Sequence, residues 1–376
     1  MRAKMLQKTQ KVVQKILDLA DIKINGNNPW DIQVKNDNLY SRVLKQGSLG
    51  LGEAYMDDWW DAKSLDEFFF RVLRADLEKE IRQDFKTLLF ILKNTLFNQQ
   101  KKSKAFEIGQ KHYDIGNDLY LAMLDPYLAY SCGYWQGAQT LAEAQEAKLD
   151  LICRKLNLKP GDKVLDIGGG WGSFAKYAAQ KYGVAVDVIT VSKEQAELGE
   201  KLCAGLPVQF QLQDYRKITG LYDHIVSVGM IEHVGYKNYR TYMKIASRHL
   251  KEDGLFLLHT IGSSNSVKTT DRWIEKYIFT NSMIPSIGQI AQSIEGLFVM
   301  EDWHNFGLDY DKTLMAWYDN FEKNWLGLKE KYGERFYRMW KYYLLSCAAS
   351  FRARKNQLWQ IVLSKNGVIH GYKSIR

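Results

Sequence analysis

From Ala142 onward the hydrophobic and polar positions fall into two alternating patterns. The runs KVLDIG, VAVDVITVS, HIVSVGM and GLFLLHTIG are β-branched or Leu-rich and of strand length. Helix-length segments separate them, which predicts βαβ units and a mainly parallel sheet. VQFQLQ adds a further strand-like run, and QLWQIVLSKN with GVIHGYKSI flanks Asn366-Gly367, a dipeptide that predicts a closing β-hairpin. The first 80 or so residues read as mostly helical, with acidic and aromatic clusters. There Ser64 precedes LDEFFFRVL with Glu67 three positions on, the spacing of a capping box. In FKTLLFILKNTLFNQQKKSK, Phe85, Leu88, Leu89, Leu92 and Leu96 share one helical face, while Phe90, Ile91 and Phe97 broaden it. Lys101, Lys102 and Lys104 follow at once. Such a helix suits a lipid interface, or equally a linker packed on a neighbouring domain. The polar stretch NQQKKSK marks the expected boundary: residues 1–105 as a mostly helical domain with a basic linker, and 106–376 as an α/β domain.

A length of 376 residues suits two domains, and 46% apolar with 25% charged residues excludes global disorder. The longest apolar run, Leu119 to Leu124, is far short of the roughly 20 residues of a spanning helix. The N-terminal stretch lacks the apolar core of a signal peptide. Cys132, Cys153, Cys203 and Cys347 show no CxxC spacing, which fits a reducing cytoplasm. The net charge of +9 is unevenly placed. Residues 1–84 balance, 85–105 hold 5 Lys and no acid, 106–334 carry 24 basic against 29 acidic residues, and 335–376 hold 9 basic residues and no acid. That asymmetry points to an anionic partner, nucleic acid or anionic lipid.

The sharpest local signal is VLDIGGGWGSFAKYAAQKYG. A strand ends near Asp166, and Gly168, Gly169, Gly170 and Gly172 lead into a helix. Glycines let backbone approach a ligand closely, at the strand end where open α/β sheets bind their ligands. The acid precedes the glycines, as in a loop for S-adenosylmethionine rather than a dinucleotide. VAVDVITVSKEQ carries no acid at its tip for a ribose; Thr190, Ser192 and Gln195 offer neutral hydrogen-bonding groups instead. Asp214 follows VQFQLQ, where it can accept from an adenine amino group. The histidines show no HExxH or similar spacing, so no metal is expected.

Seven segments taken together resemble the cyclopropane-fatty-acyl-phospholipid synthases: YDIGNDLYLAMLDPYLAYSCGYW, LDIGGGWGSFA, ITVSKEQ, SVGMIEHVG, LLHTIGS, WHNFGLDYDKTLMAW and CAASFRARKNQLWQ. They run in order from about Lys111 to Asn366, and the likeness is to the two-domain bacterial enzymes. The resemblance implies a Rossmann-like S-adenosylmethionine-dependent methyltransferase domain with a mainly parallel sheet, preceded by a smaller mostly helical domain. It implies methyl transfer to a cis double bond of a phospholipid acyl chain, loss of one proton, and ring closure, with bound bicarbonate as the base. It places Cys132, Glu232, His259, Tyr310 and the Ile261 backbone N–H around that ion, with Cys347 a further catalytic candidate. Tyr130, Ser131, Asp166, Gly168, Gly170, Thr190, Val191, Gln195, Gln213 and Asp214 match its cofactor segments. It also implies a homodimer, cytoplasmic and peripherally associated with the inner face of the membrane, with lipid rather than nucleic acid as partner. The alternative is an S-adenosylmethionine-dependent nucleic-acid methyltransferase. It would explain the basic excess, and Asp125-Pro126-Tyr127 faintly resembles a base-holding Asp/Asn-Pro-Pro-Tyr motif, but lacks its second Pro.

Overall fold

The computed structural model describes residues 2–77 and 115–376. The amphipathic, Lys-rich stretch 85–105 lies outside the described residues. The chain divides into two compact units: Met1–Gly116 with Asp271–Thr280 and Phe321–Lys355, and Asn117–Thr270 with Asn281–Asn320 and Asn356–Arg376. A single cut after residue 105 was expected; the helical unit instead also recruits two later segments.

In the helical unit, Arg2–Asp18, Asn38–Gln46, Ser48–Met56 and Leu65–Arg74 form helices. Two short strands pair antiparallel, β1 (Gln33–Val34) and β2 (Trp60–Asp61). Leu65–Arg74 starts where the Ser64 spacing places it, but the Ser64 side chain makes no capping bond. Its acidic first turn, Asp66 and Glu67, faces the positive end of the helix dipole instead. The recruited segments have a packing reason. Trp273 and Tyr342 lie 4.4 Å apart, and Tyr342 meets Tyr55 and Phe69. Arg338 stacks over Tyr55 and donates to Asp61 and to the Trp60 carbonyl.

In the second unit, seven strands among the described residues form one sheet of order β5-β4-β3-β6-β7-β9-β8. They are β3 (Lys163–Ile167), β4 (Ala185–Thr190), β5 (Val208–Leu212), β6 (Tyr222–Val228), β7 (Leu250–Ser263), β8 (Val299–Asn305) and β9 (Asn356–Ser364). The first five are parallel, and β9 runs antiparallel to both β7 and β8. Successive side chains on a strand point to opposite faces, so both faces must be covered where a run is continuously apolar. Accordingly Leu165, Ile167, Ile225, Phe256, Leu258, Ile361 and Leu363 face one core with helices Tyr239–His249 and Ile287–Ile294. Val164, Val186, Val188, Val226, Leu257 and Val362 face the other, with helices Leu141–Lys155 and Ser173–Tyr182.

The hairpin expected at Asn366-Gly367 does not form, since residues 365–376 contain no strand. Both edges of β9 are taken, by β7 and by β8, so the segment after Gly367 has no strand edge to join. It is tied down by other bonds: Val368 N–H to Glu301, Tyr372 Oη–H to the Lys155 carbonyl, and Arg376 to Asp302. No described helix is long and apolar enough to cross a membrane.

Candidate functional site

Strand order reverses between β3 and β6, and the loops after these strands open on the crevice where such sheets take ligands. After β3, Gly168 and Gly170 adopt φ of +80° and +57°, left-handed values that favour glycine. A Cβ on Gly169 would come within 2.5 Å of Asp166 Oδ2 and 2.6 Å of Val188 Cγ1, so the loop folds tightly over the acid. Asp166 is buried, its Oδ1 has no partner, and burial pushes its carboxyl up to about 7.

The other cofactor candidates gather around this loop. At the tip of β4 the Thr190 hydroxyl donates to Gln195 Oε1 at 3.0 Å, and Val191 is 76% exposed. Gln213 N–H donates to the Thr190 carbonyl, and Asp214 Oδ1 accepts from Arg216 N–H at 2.8 Å, closing its own turn. Ser131 Oγ accepts from Lys148 Nζ at 2.9 Å. Tyr130 belongs to an aromatic row: Trp171–Tyr120 (4.9 Å), Tyr120–Tyr130 (5.1 Å), Tyr130–Trp317 (5.1 Å) and Trp317–Tyr310 (6.0 Å). This row of edge-to-face and tilted rings runs from Trp171 in the glycine loop to Tyr310.

The base candidates meet where β6 ends against β7. Val228 is level with His259, and Gly229 N–H donates to the His259 carbonyl. Glu232 sits in the short helical turn Ile231–His233, buried, with Oε1 accepting from Ile261 N–H at 2.8 Å. Its Oε2 has no partner, and burial pushes the carboxyl up to about 7. His259 is 1% exposed. The Gln360 amide nitrogen lies 3.3 Å from its Nδ1, which leaves the proton of the neutral ring on Nε2. That Nε2 has no partner either. Burial, then Lys148 and Lys155, hold the imidazole well below its ordinary range. An acceptor, Glu232 Oε2, and a donor, His259 Nε2–H, are thus both buried and unmatched. This donor set fits a small oxyanion bearing one O–H.

Cys132 is fully buried and donates to the Gly133 carbonyl at 3.1 Å; burial raises its thiol well above the usual range. Its segment is held by the helix beginning at Leu308. Asp309 Oδ2 accepts from Trp135 N–H, and Thr313 Oγ1 accepts from Gly133 N–H and Trp135 Nε1–H. Tyr310 is buried on that helix. Two expectations change. The Ile261 amide, expected as a donor to the ion, is engaged by Glu232 Oε1 and so orients the carboxylate. Cys347 falls in the helical unit, apart in the division from the other candidates, with its thiol pushed up to about 12 by burial and Asp271.

Sequence reasoning passed over Lys148, Gln145 and Gln360, all buried. On Leu141–Lys155, Lys148 shares the inward face with Ala144, Leu151 and Ile152, and a lysine within that apolar stripe was the available signal.

Known proteins resemble this chain along most of its length. Residues 100–361 match the sequence profile of the mycolic acid cyclopropane synthetase family. A cyclopropane-fatty-acyl-phospholipid synthase of Escherichia coli K12 is 54% identical over 366 residues, spanning 97% of this chain and 96% of that protein. A probable fatty acid methyltransferase of Pseudomonas putida is 37% identical, over 71% of each chain. The structure of a mycolic acid cyclopropane synthase, CmaA1, complexed with SAH and CTAB superposes with a TM-score of 0.64 at 32% identity, covering 69% of this chain and 98% of that one. The cyclopropane synthase MmaA2 from Mycobacterium tuberculosis gives 0.63 at 31% identity, covering 69% and 98%. With its doubly covered parallel sheet and the glycine loop after β3, the chain belongs to the cyclopropane synthase family of S-adenosylmethionine-dependent methyltransferases.

Proposed function

We propose that this chain converts the cis double bond of an unsaturated phospholipid acyl chain to a cyclopropane, with bicarbonate as the general base. The observation that carries this reading is the pair of buried, unmatched polar atoms, Glu232 Oε2 and His259 Nε2, at the ends of β6 and β7. Bound S-adenosylmethionine would supply the methyl group. Asp166, Ser131 and the glycine loop would hold its amino-acid end; Thr190, Gln195 and Gln213 would hold the nucleoside. Bicarbonate would supply the proton acceptor, held by Glu232 and His259 with Cys132 and Tyr310 as neighbours. The Ile261 amide fixes the Glu232 carboxylate so that Oε2 accepts, and Gln360 fixes the His259 tautomer so that Nε2 donates. The aromatic row screens positive charge from water and meets it with π density.

The nucleic-acid alternative loses its best residue. Asp125 accepts from Tyr127 N–H with Oδ2 and from Ala129 N–H with Oδ1, so both oxygens shape its own turn. The working location is the cytoplasmic face of a membrane, reached peripherally by a homodimer, with Lys101, Lys102 and Lys104 drawn to anionic lipid. Changing these three to Ala weakens cosedimentation with anionic vesicles and flattens its salt dependence; identical binding removes the segment from the interface. The test of the reaction is product mass. Unsaturated phospholipid vesicles and S-adenosylmethionine should yield a lipid one CH₂ heavier in which the acyl double bond is gone. Methyl incorporation into tRNA but not lipid reverses the reading.

A further inference from the structure

Helix Leu141–Lys155 turns two polar side chains inward at positions three apart, Gln145 and Lys148, both essentially inaccessible to solvent. Both are directed at the segment that carries Tyr130, Ser131 and Cys132. Gln145 Nε2 donates to the Ser131 carbonyl at 2.8 Å and lies 3.3 Å from that of Ala129. Lys148 Nζ donates to the Ser131 hydroxyl oxygen at 2.9 Å. An ammonium only donates, so the serine keeps its own proton for another acceptor.

A buried lysine is ordinarily matched directly by a carboxylate. Here the hydrogen bond goes to a neutral hydroxyl. The nearest acids are otherwise disposed: Asp125 has both oxygens on backbone N–H groups, and Asp166 leaves Oδ1 unmatched. The ammonium feels the charges of Asp125, Cys132 and Asp166 and in turn acts on His259. Burial lowers the lysine to about 8, so an anion set against Ser131 would strengthen its charge. The two poles are therefore distinct: a positive one at Lys148 and Ser131, and a negative one at Asp166. The α-amino-acid end of S-adenosylmethionine carries one charge of each sign.

We propose that Lys148 is a positioning residue for the methionine carboxylate of the cofactor: its ammonium orients the Ser131 hydroxyl and supplies the counter-charge, while Asp166 takes the amino group. The inference rests on the cofactor part of the functional reading and is independent of the lipid substrate.

The experiment titrates wild type, Lys148→Met, Ser131→Ala and the double variant with two ligands, in the absence of lipid. One is S-adenosylhomocysteine; the other is its decarboxylated analogue, which keeps the amine and loses the carboxylate. Losing a charge-assisted contact should weaken S-adenosylhomocysteine about 10- to 100-fold in Lys148→Met. The analogue should bind wild type and Lys148→Met alike. The double variant should bind S-adenosylhomocysteine no more weakly than Lys148→Met, because the two residues act as one unit. Equal weakening of both ligands, or unchanged S-adenosylhomocysteine affinity, overturns the proposal. Should Lys148→Met fail to melt cooperatively, Lys148→Gln, which keeps a donor toward Ser131 without the charge, carries the same test. Selective loss of the carboxylate-bearing ligand supports the assignment, and loss of neither overturns it. Because no lipid is present, the outcome is separate from success or failure of the vesicle assay.

Discussion

Two buried polar clusters in the α/β unit are satisfied in opposite ways. In the first, Lys155 Nζ lies 3.0 Å from His304 Nδ1 and 3.7 Å from Asp302. Asp302 also takes Arg376 at 2.6 Å and the Ser374 hydroxyl at 2.9 Å, and Tyr372 donates to the Lys155 carbonyl. Helix Leu141–Lys155, β8 and the segment after β9 are thereby joined. In the second, Asp166, Glu232 and His259 are buried as completely, yet each keeps one atom without a partner. An unmatched buried polar atom costs about 1–3 kcal/mol. Three of them lie beside the neighbouring strands β3, β6 and β7, where the proposed ligands would answer them. Burial and shifted protonation occur in both clusters; burial pushes Lys155 down to about 7 just as it pushes Glu232 up to about 7. Satisfaction, not burial, separates the proposed binding site from the clamp.

The comparison breaks most readily at Glu232. Glu232→Gln should lower turnover about a thousandfold, the scale of a lost general-base contribution, while S-adenosylhomocysteine affinity stays unchanged. Near-normal turnover by the product-mass assay would place Glu232 with the structural cluster. Lys155→Met should do the reverse. It removes one of two cations beside Asp302 while Arg376 remains, and should cost about 1–3 kcal/mol of stability, read from denaturant midpoints, with turnover per folded molecule far less affected than in Glu232→Gln. A variant of full stability would show that the clamp holds nothing.

A smaller effect sharpens the contrast through pH. The Glu232 carboxyl is raised from 4.5 to about 7 in the folded chain, so folding favours its protonated form. That contribution is complete below about pH 4.5 and is lost as pH rises through about 7. Relative to wild type, Glu232→Gln should therefore gain stability between pH 5 and 8, by at most about 3 kcal/mol. A stability difference that does not change with pH contradicts the buried, unmatched carboxylate.

Much of the sheet was legible because β3, β4, β6 and β7 are apolar on both faces, and only a doubly covered sheet accommodates that pattern. β8 was not, because VMEDWHN places Glu301 and Asp302 in its middle. Their meaning is tertiary: Asp302 answers Arg376 and Lys155, and Glu301 accepts from Ser364 and from Val368 N–H. Asn366-Gly367 misled for a related reason, since turn chemistry is local and the occupancy of both β9 edges is not. Asp166, Glu232 and His259 stand out as candidates from their motifs, but the motifs do not show that each keeps an unmatched atom. Lys148 carried a signal in its apolar stripe, yet a lone lysine there equally fits a side chain that reaches out to solvent until the packing of its neighbours is known. The recruitment of Trp273 and Tyr342 into the helical core lies beyond local pattern altogether.

The central claim is that Glu232 and His259 hold bicarbonate as the base. The direct measurement is turnover on unsaturated phospholipid vesicles in buffer stripped of carbon dioxide, followed by bicarbonate titration, for wild type and Glu232→Gln. Wild-type turnover should collapse on stripping and return saturably with bicarbonate, while Glu232→Gln stays slow throughout. Wild-type turnover indifferent to bicarbonate would contradict the claim.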